Sequence, residues 1–194
     1  SNVDIGLVGV PWDGGTTNRA GARHGPRQIR DLSTMARNVN HSNGIQPFEL
    51  ANCADLGDSP VNPITVMDSL EKIESFFKSI HNSKIIPLSA GGDHLITLPI
   101  MRGIRNTEPL GMVHFDAHTD TWDRYFDDCK YTHGTPFRRA IEEGLLDPKR
   151  TIQIGIRGAL YTPEDKAWGL AQGIRVIERL LAFINGTGFS ASRQ

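Results

Sequence analysis

The sequence predicts an α/β fold built on a mainly parallel sheet, and three observations carry that prediction. Short apolar segments rich in β-branched residues recur along the chain, each closed by a glycine- or aspartate-rich turn. A strongly amphipathic helix separates two of them. Strands and helices then alternate in the order that βαβ units impose. The 194 residues suffice for one α/β domain with its own core, so a single domain over 1–194 is expected.

The first segment, Val3 to Val10, reads as a buried strand, because Pro11 and the Asp13-Gly14-Gly15 turn follow it at once. Pro26 stands where a helix can begin, and Ile29 and Leu32 continue its period. Residues 38–63 are rich in Asn, Gly and Pro, with room for a short edge strand within Phe48 to Leu56. From Ile64 to His81 the apolar residues Ile64, Met67, Leu70, Ile73, Phe76, Phe77 and Ile80 fall three or four apart, which predicts an amphipathic helix. Strands are expected over Lys84 to Ala90, Leu110 to Phe115, Thr151 to Ile156 and Gly173 to Ile177, with a helix at Pro136 to Glu143. The tail Asn185 to Gln194 is small and polar and is expected to be loose.

Composition narrows the function. Lys plus Arg is 21 and Asp plus Glu is 22, a net charge of −1, which offers no electrostatic footprint to a nucleic acid or an anionic membrane. Neither partner is expected. Cys53 and Cys129 form no C-x-x-C pair and cannot build a disulfide framework, so a reducing compartment and a structural role are expected for both. The sequence shows no secretory segment and no apolar run of about 18 residues, and a soluble cytoplasmic protein is expected.

The densest chemistry is Asp116, His118 and Asp120 at the end of the Leu110 to Phe115 strand. Alternate residues leaving a strand project to one side, so this spacing delivers two carboxylates and an imidazole to a small volume. A divalent cation relieves the repulsion between two such acids and takes oxygen and nitrogen donors. The other reading of a D-x-H-x-D match is a polar surface loop, which the adjoining apolar strand disfavours. His94 follows the Gly91-Gly92 pair at another strand end; alone it reads as a structural histidine, and beside the acidic cluster as a ligand. His133, thirteen residues past Asp120, could transfer protons near neutral pH or merely sit in a helix-capping loop. His24, His41, His81 and His114 are read as packed or solvated. No G-x-G-x-x-G, G-K-[ST] or G-x-S-x-G pattern is present, which disfavours nucleotide binding and a nucleophilic serine.

Five blocks in order give these residues a family likeness: Gly9-Val10-Pro11-Trp12-Asp13-Gly14-Gly15, Asn18 to Pro26, Gly91-Gly92-Asp93-His94, Phe115-Asp116-Ala117-His118-Thr119-Asp120 and His133-Gly134-Thr135-Pro136. Together they resemble the ureohydrolase superfamily of arginases and agmatinases, and within it the agmatinase, guanidinobutyrase and proclavaminate amidinohydrolase branch. The resemblance implies a three-layer α-β-α fold with a mainly parallel sheet, a homo-oligomer, and a binuclear manganese centre that hydrolyses a linear guanidino compound such as agmatine or guanidinobutyrate and releases urea. It makes His94 and Asp120 ligands of one Mn2+, His118 a ligand of the second and Asp116 a bridge. His133 takes the place of the proton-carrying histidine, and Asp120 accepts a proton beside the attacking water. Two ions roughly 3.5–4 Å apart can share such a water and lower its pKa. Substrate choice is weakly encoded: Asp127 and Asp128 could attract an amine, Arg124 and Lys130 a carboxylate, and solvated surface charge is the plainer reading of all four.

The family also uses a late D-x-D-x-x-D-P block and a still later glutamate, and neither follows Ile177. The expectation is therefore an arginase-like domain that is C-terminally incomplete after about residue 177, with apolar strand edges left bare. The alternative is an inactive fragment or pseudoenzyme serving as a metal-binding or subunit-interaction module.

Overall fold

A computed structural model of the chain describes residues 2–162 and 164–178. They divide into two compact units, residues up to 104 with 131–133, and residues 105–130 with those from 134 onward. Each has its own three-stranded sheet, and all four strand pairings are parallel.

In the first unit, β1 (Ile5–Val10) is followed by a 3-10 turn at Ala22–His24 and by α1 (Gly25–Ser33), which carries Pro26 in its first turn. Next come α2 (Pro47–Leu50), β2 (Cys53–Asp58), α3 (Val66–Asn82), β3 (Ile86–Gly91), a second 3-10 turn at His94–Ile96 and α4 (Thr97–Ile104). The strand order is β2-β1-β3, with Ile5 opposite Cys53 on one side and Ile86 on the other. Val8, Val10 and Trp12 bury against Ile73, Phe77 and Ile80 of α3, together with Ile85 and Ile96. That is the apolar stripe read from the sequence. Gly103 lets α4 approach α3, since a Cβ there would stand 2.7 Å from both Glu74 O and Phe77 Cβ.

One expectation shifts in this unit and another fails. The edge strand looked for within Phe48 to Leu56 is present as β2 but begins only at Cys53, because Pro47 pre-sets a helical turn, closed by the Ala51 amide on Pro47 O at 3.1 Å. Ile64 does not belong to the buried stripe. Its amide bonds the Asn62 carboxamide oxygen at 3.0 Å, so the chain is still turning there and the side chain is 88% exposed.

In the second unit, β4 (Leu110–Phe115), α5 (Pro136–Glu142), β5 (Leu146–Ile156), α6 (Glu164–Gln172) and β6 (Arg175–Glu178) follow in order. The sheet runs β4-β5-β6. Phe137, Ala140, Leu145, Leu146, Ile156 and Ile174 are buried. β5 starts five residues earlier than the sequence suggests, because Leu146 pairs with Leu110 ahead of an irregularity in register. Arg138 lies over the Trp168 ring at 3.9 Å and ties α5 to α6.

The Cys53 and Cys129 side chains are both exposed. Large apolar side chains stand exposed on two strands, Ile86 and Leu88 on β3 and Val113 and Phe115 on β4. No helix among the described residues is long and apolar enough to cross a membrane. The tail Asn185 to Gln194 lies outside the described residues.

Candidate metal centre

The acidic loop of the second unit is pinned from both ends. The Asp116 amide bonds Ile154 O at 3.1 Å and carries the β4–β5 ladder one residue past β4. Ala117 O accepts the amides of Arg157 and Gly158 at 2.8 and 2.7 Å, and Asp120 O accepts the Phe137 amide at 3.1 Å. Asp120 itself has φ +50° and is 6% exposed. That left-handed turn is one an aspartate tolerates better than most residues do, and it swings the carboxylate back toward Asp116.

The result is a cluster in which His114, Asp116 and Asp120 each offer a ligand atom, all within 4.8 Å of one another. Two carboxylate oxygens and an imidazole nitrogen make a mixed donor set that could hold a divalent cation. The cluster includes a residue the sequence reading set aside. His114 is buried, as one of the two readings held, but its ring reaches Asp116, with Nε2 3.3 Å from Oδ2. The two-residue period of a strand was the available signal, since 114 and 116 fall on the same side. His118 is placed differently. Its amide bonds Asp116 Oδ1 at 2.9 Å, and its ring, 62% exposed, rests against Gly158 with Nδ1 3.6 Å from the same oxygen.

An aromatic group flanks Asp120. The rings of Trp122 and Tyr125 lie 5.3 Å apart, and those of Trp122 and Tyr161 5.0 Å apart. Burial, and after it the charge of Asp120, pushes the Tyr125 phenol up to about 12. Of the loop charges, Arg124 bonds Asp123 and Asp128, and Arg139 also bonds Asp123 at 2.8 Å. The Arg139 and Arg124 guanidiniums hold the Asp123 carboxyl down at about 2. Arg124 and Asp128 are thus paired charges on the surface.

The first unit holds the other two predicted site residues. His94 opens the 3-10 turn after β3, and Asp93 caps that turn by accepting the Leu95 amide at 2.8 Å. Asp93 also accepts the Gly15 amide at 2.7 Å, and its burial raises the carboxyl above the usual range. Gly15 O in turn accepts the His133 amide at 2.8 Å, while His133 Nε2 meets the Thr17 hydroxyl at 2.8 Å. The 13–17 loop therefore holds His133 by its backbone and its ring. Asp13 anchors that loop: it accepts Arg23 Nε at 2.6 Å and the Gly21 amide at 2.7 Å, and the Arg23 guanidinium keeps its carboxyl at about 2.

The Arginase family model matches residues 3–180. The chain belongs to the arginase family. It is 63% identical over 175 residues to guanidinopropionase of Pseudomonas aeruginosa, covering 90% of this chain and 55% of that protein. It is 48% identical over 176 residues to mitochondrial agmatinase of Gallus gallus, covering 90% and 52%. Among solved structures it is similar to proclavaminate amidino hydrolase of Streptomyces clavuligerus, with a TM-score of 0.86 and 35% identity over 96% of this chain and 63% of the other. This arginase-family chain thus spans about half the length of the curated relatives it matches, and its parallel α/β fold is arginase-like.

Proposed function

We propose that the chain carries part of a metal-dependent hydrolase that acts on a linear guanidino compound and releases urea. The observation that carries this is the convergence of Asp116 and Asp120 within 4.8 Å in a chain whose relatives are named for guanidino substrates. The higher identity to guanidinopropionase, 63% against 48% for the agmatinase, favours a guanidino acid over agmatine. Asp116, Asp120, His94 and His118 are the proposed ligands of Mn2+, and a homo-oligomer is the proposed assembly.

A divalent cation held there supplies Lewis acidity, which lets a water lose its proton near neutral pH. The remaining work falls to side chains. A guanidinium resists attack because resonance spreads its charge, so it must be oriented and the water's proton removed. Asp120, fixed by its backbone carbonyl on the Phe137 amide, is the proposed proton acceptor. His133, held by Thr17 and Gly15, is the proposed donor to the departing amine.

Urea release from guanidinopropionate, guanidinobutyrate and agmatine, measured with and without added Mn2+, tests the reading. Mn2+-dependent urea from a guanidino acid is the expected result, and absence of both urea and bound metal rejects it. A second reading, a metal-binding or subunit-interaction module without turnover, draws on the exposed Ile86, Leu88, Val113 and Phe115. Bound Mn2+ with no urea from any of the three substrates would select it.

A further inference from the structure

His114 on β4 stands opposite Gln153 on β5 in the strand register, and the two are 6% and 1% exposed. The Gln153 amide nitrogen lies 2.6 Å from Thr119 O and 3.2 Å from His114 Nδ1. The shorter contact fixes the orientation of the carboxamide, since its oxygen at that place would face another carbonyl oxygen. One of the two amide hydrogens therefore goes to Thr119 O and the other faces Nδ1. A protonated Nδ1 would set donor against donor, so the ring is neutral at Nδ1 and carries its proton on Nε2.

That proton faces Asp116 Oδ2 at 3.3 Å, while Oδ1 of the same carboxylate accepts the His118 amide at 2.9 Å. Both oxygens are thus held by N–H donors, which sets the plane of the carboxylate. The Phe137 ring, edge-on to the imidazole with centroids 4.6 Å apart, keeps His114 from turning away. From this we infer that Gln153 and His114 form a positioning relay for Asp116: Gln153 selects the tautomer of His114, and His114 orients the carboxylate by donating to it instead of binding the cation itself. Outer partners of this kind typically tune metal affinity by about 10–100-fold. The relay rests on the proposed role of Asp116 as a metal ligand.

Two measurements test it. In the metal-free protein, nitrogen-15 NMR of the His114 ring should show a protonated Nε2 and a bare Nδ1; a protonated Nδ1 overturns the relay. Dissociation constants for Mn2+ then separate positioning from ligation. His114→Phe should weaken binding by roughly tenfold or more, and His114→Gln, whose side-chain amide can still donate toward Asp116, should stay within about threefold of the parent. Gln153→Met, which leaves the imidazole in place, should weaken binding in the same direction with a mixture of tautomers, and it serves if the His114 variants do not fold. Unchanged affinity in His114→Phe and Gln153→Met overturns the relay, as does equal loss in His114→Phe and His114→Gln, the pattern of an imidazole that binds the ion directly. If the parent binds no Mn2+, the metal reading falls by itself. The carbon-13 shift of the Asp116 carboxylate, expected to move in His114→Phe and to return in His114→Gln, then decides the relay.

Discussion

The two units end a parallel strand in a loop that carries aspartate, and they spend the acid differently. In the first unit Asp93 turns inward, and its two oxygens accept the Gly15 and Leu95 amides. Asp13 is likewise taken up by Arg23 and two backbone amides. In the second unit the loop backbone is anchored through its own amides and carbonyls, at Ile154, Ala117, Asp120 and Phe137. There the Asp116 carboxylate accepts the His118 amide and still comes within 4.8 Å of Asp120. A strand-end aspartate is structural where buried loop amides take up its carboxylate, and chemical where the loop is tied mainly through its own backbone and two carboxylates converge.

Substitutions can break this contrast. The largest effect is expected at Asp116→Ala, which should reduce Mn2+ binding by more than the roughly 100-fold that outer partners can cost and also lower stability by about 1–3 kcal/mol, because the His118 amide and the buried His114 ring lose their acceptor; elemental analysis and a urea melt read both. Asp93→Asn should cost stability without that loss of metal. Its amide would face one of two buried N–H donors, a loss of about 1–3 kcal/mol in stability, with the acidic loop of the second unit still competent to bind metal.

Asp13→Asn is next in size and depends on pH. The folded carboxyl lies at about 2 against an ordinary value of 3.8, and a depressed carboxylate pKa stabilises the fold above the unfolded value and ceases to do so as pH falls through the folded one. Arg23 is 37% exposed, so solvent screens the pair and about 1 kcal/mol is the appropriate scale. Parent and variant should therefore differ at pH 7 and converge between about pH 4 and 2, as followed by thermal melts across that range. The smallest effect is expected from Trp168→Leu, which removes the ring under Arg138 at about 0.5–1 kcal/mol and should touch neither acidic loop.

The same division between local and distant causes decides what the sequence disclosed. β4 was legible at both ends because an apolar run lies between Pro109 and Asp116, and α3 because its buried face repeats every three or four residues. β2 was only loosely bounded because its residues, Cys53 to Asp58, carry no apolar pattern of their own; pairing with β1 makes them a strand. α6 went unread because Glu164 to Gln172 shows only a weak apolar face. At the site, Asp116 and Asp120 were visible as a spacing. His114 was not, since its role depends on Gln153, 39 residues away in sequence and next to it only through strand register.

The backbone at Asp120 has a practical consequence for anyone probing this loop. At φ +50° a residue must tolerate a left-handed turn, which asparagine does readily and alanine does at a cost. An alanine scan would therefore ask two questions at position 120 in a single variant, one about charge and one about chain shape. Asparagine there asks only the first, and glycine, which frees the backbone while deleting the side chain, supplies the control.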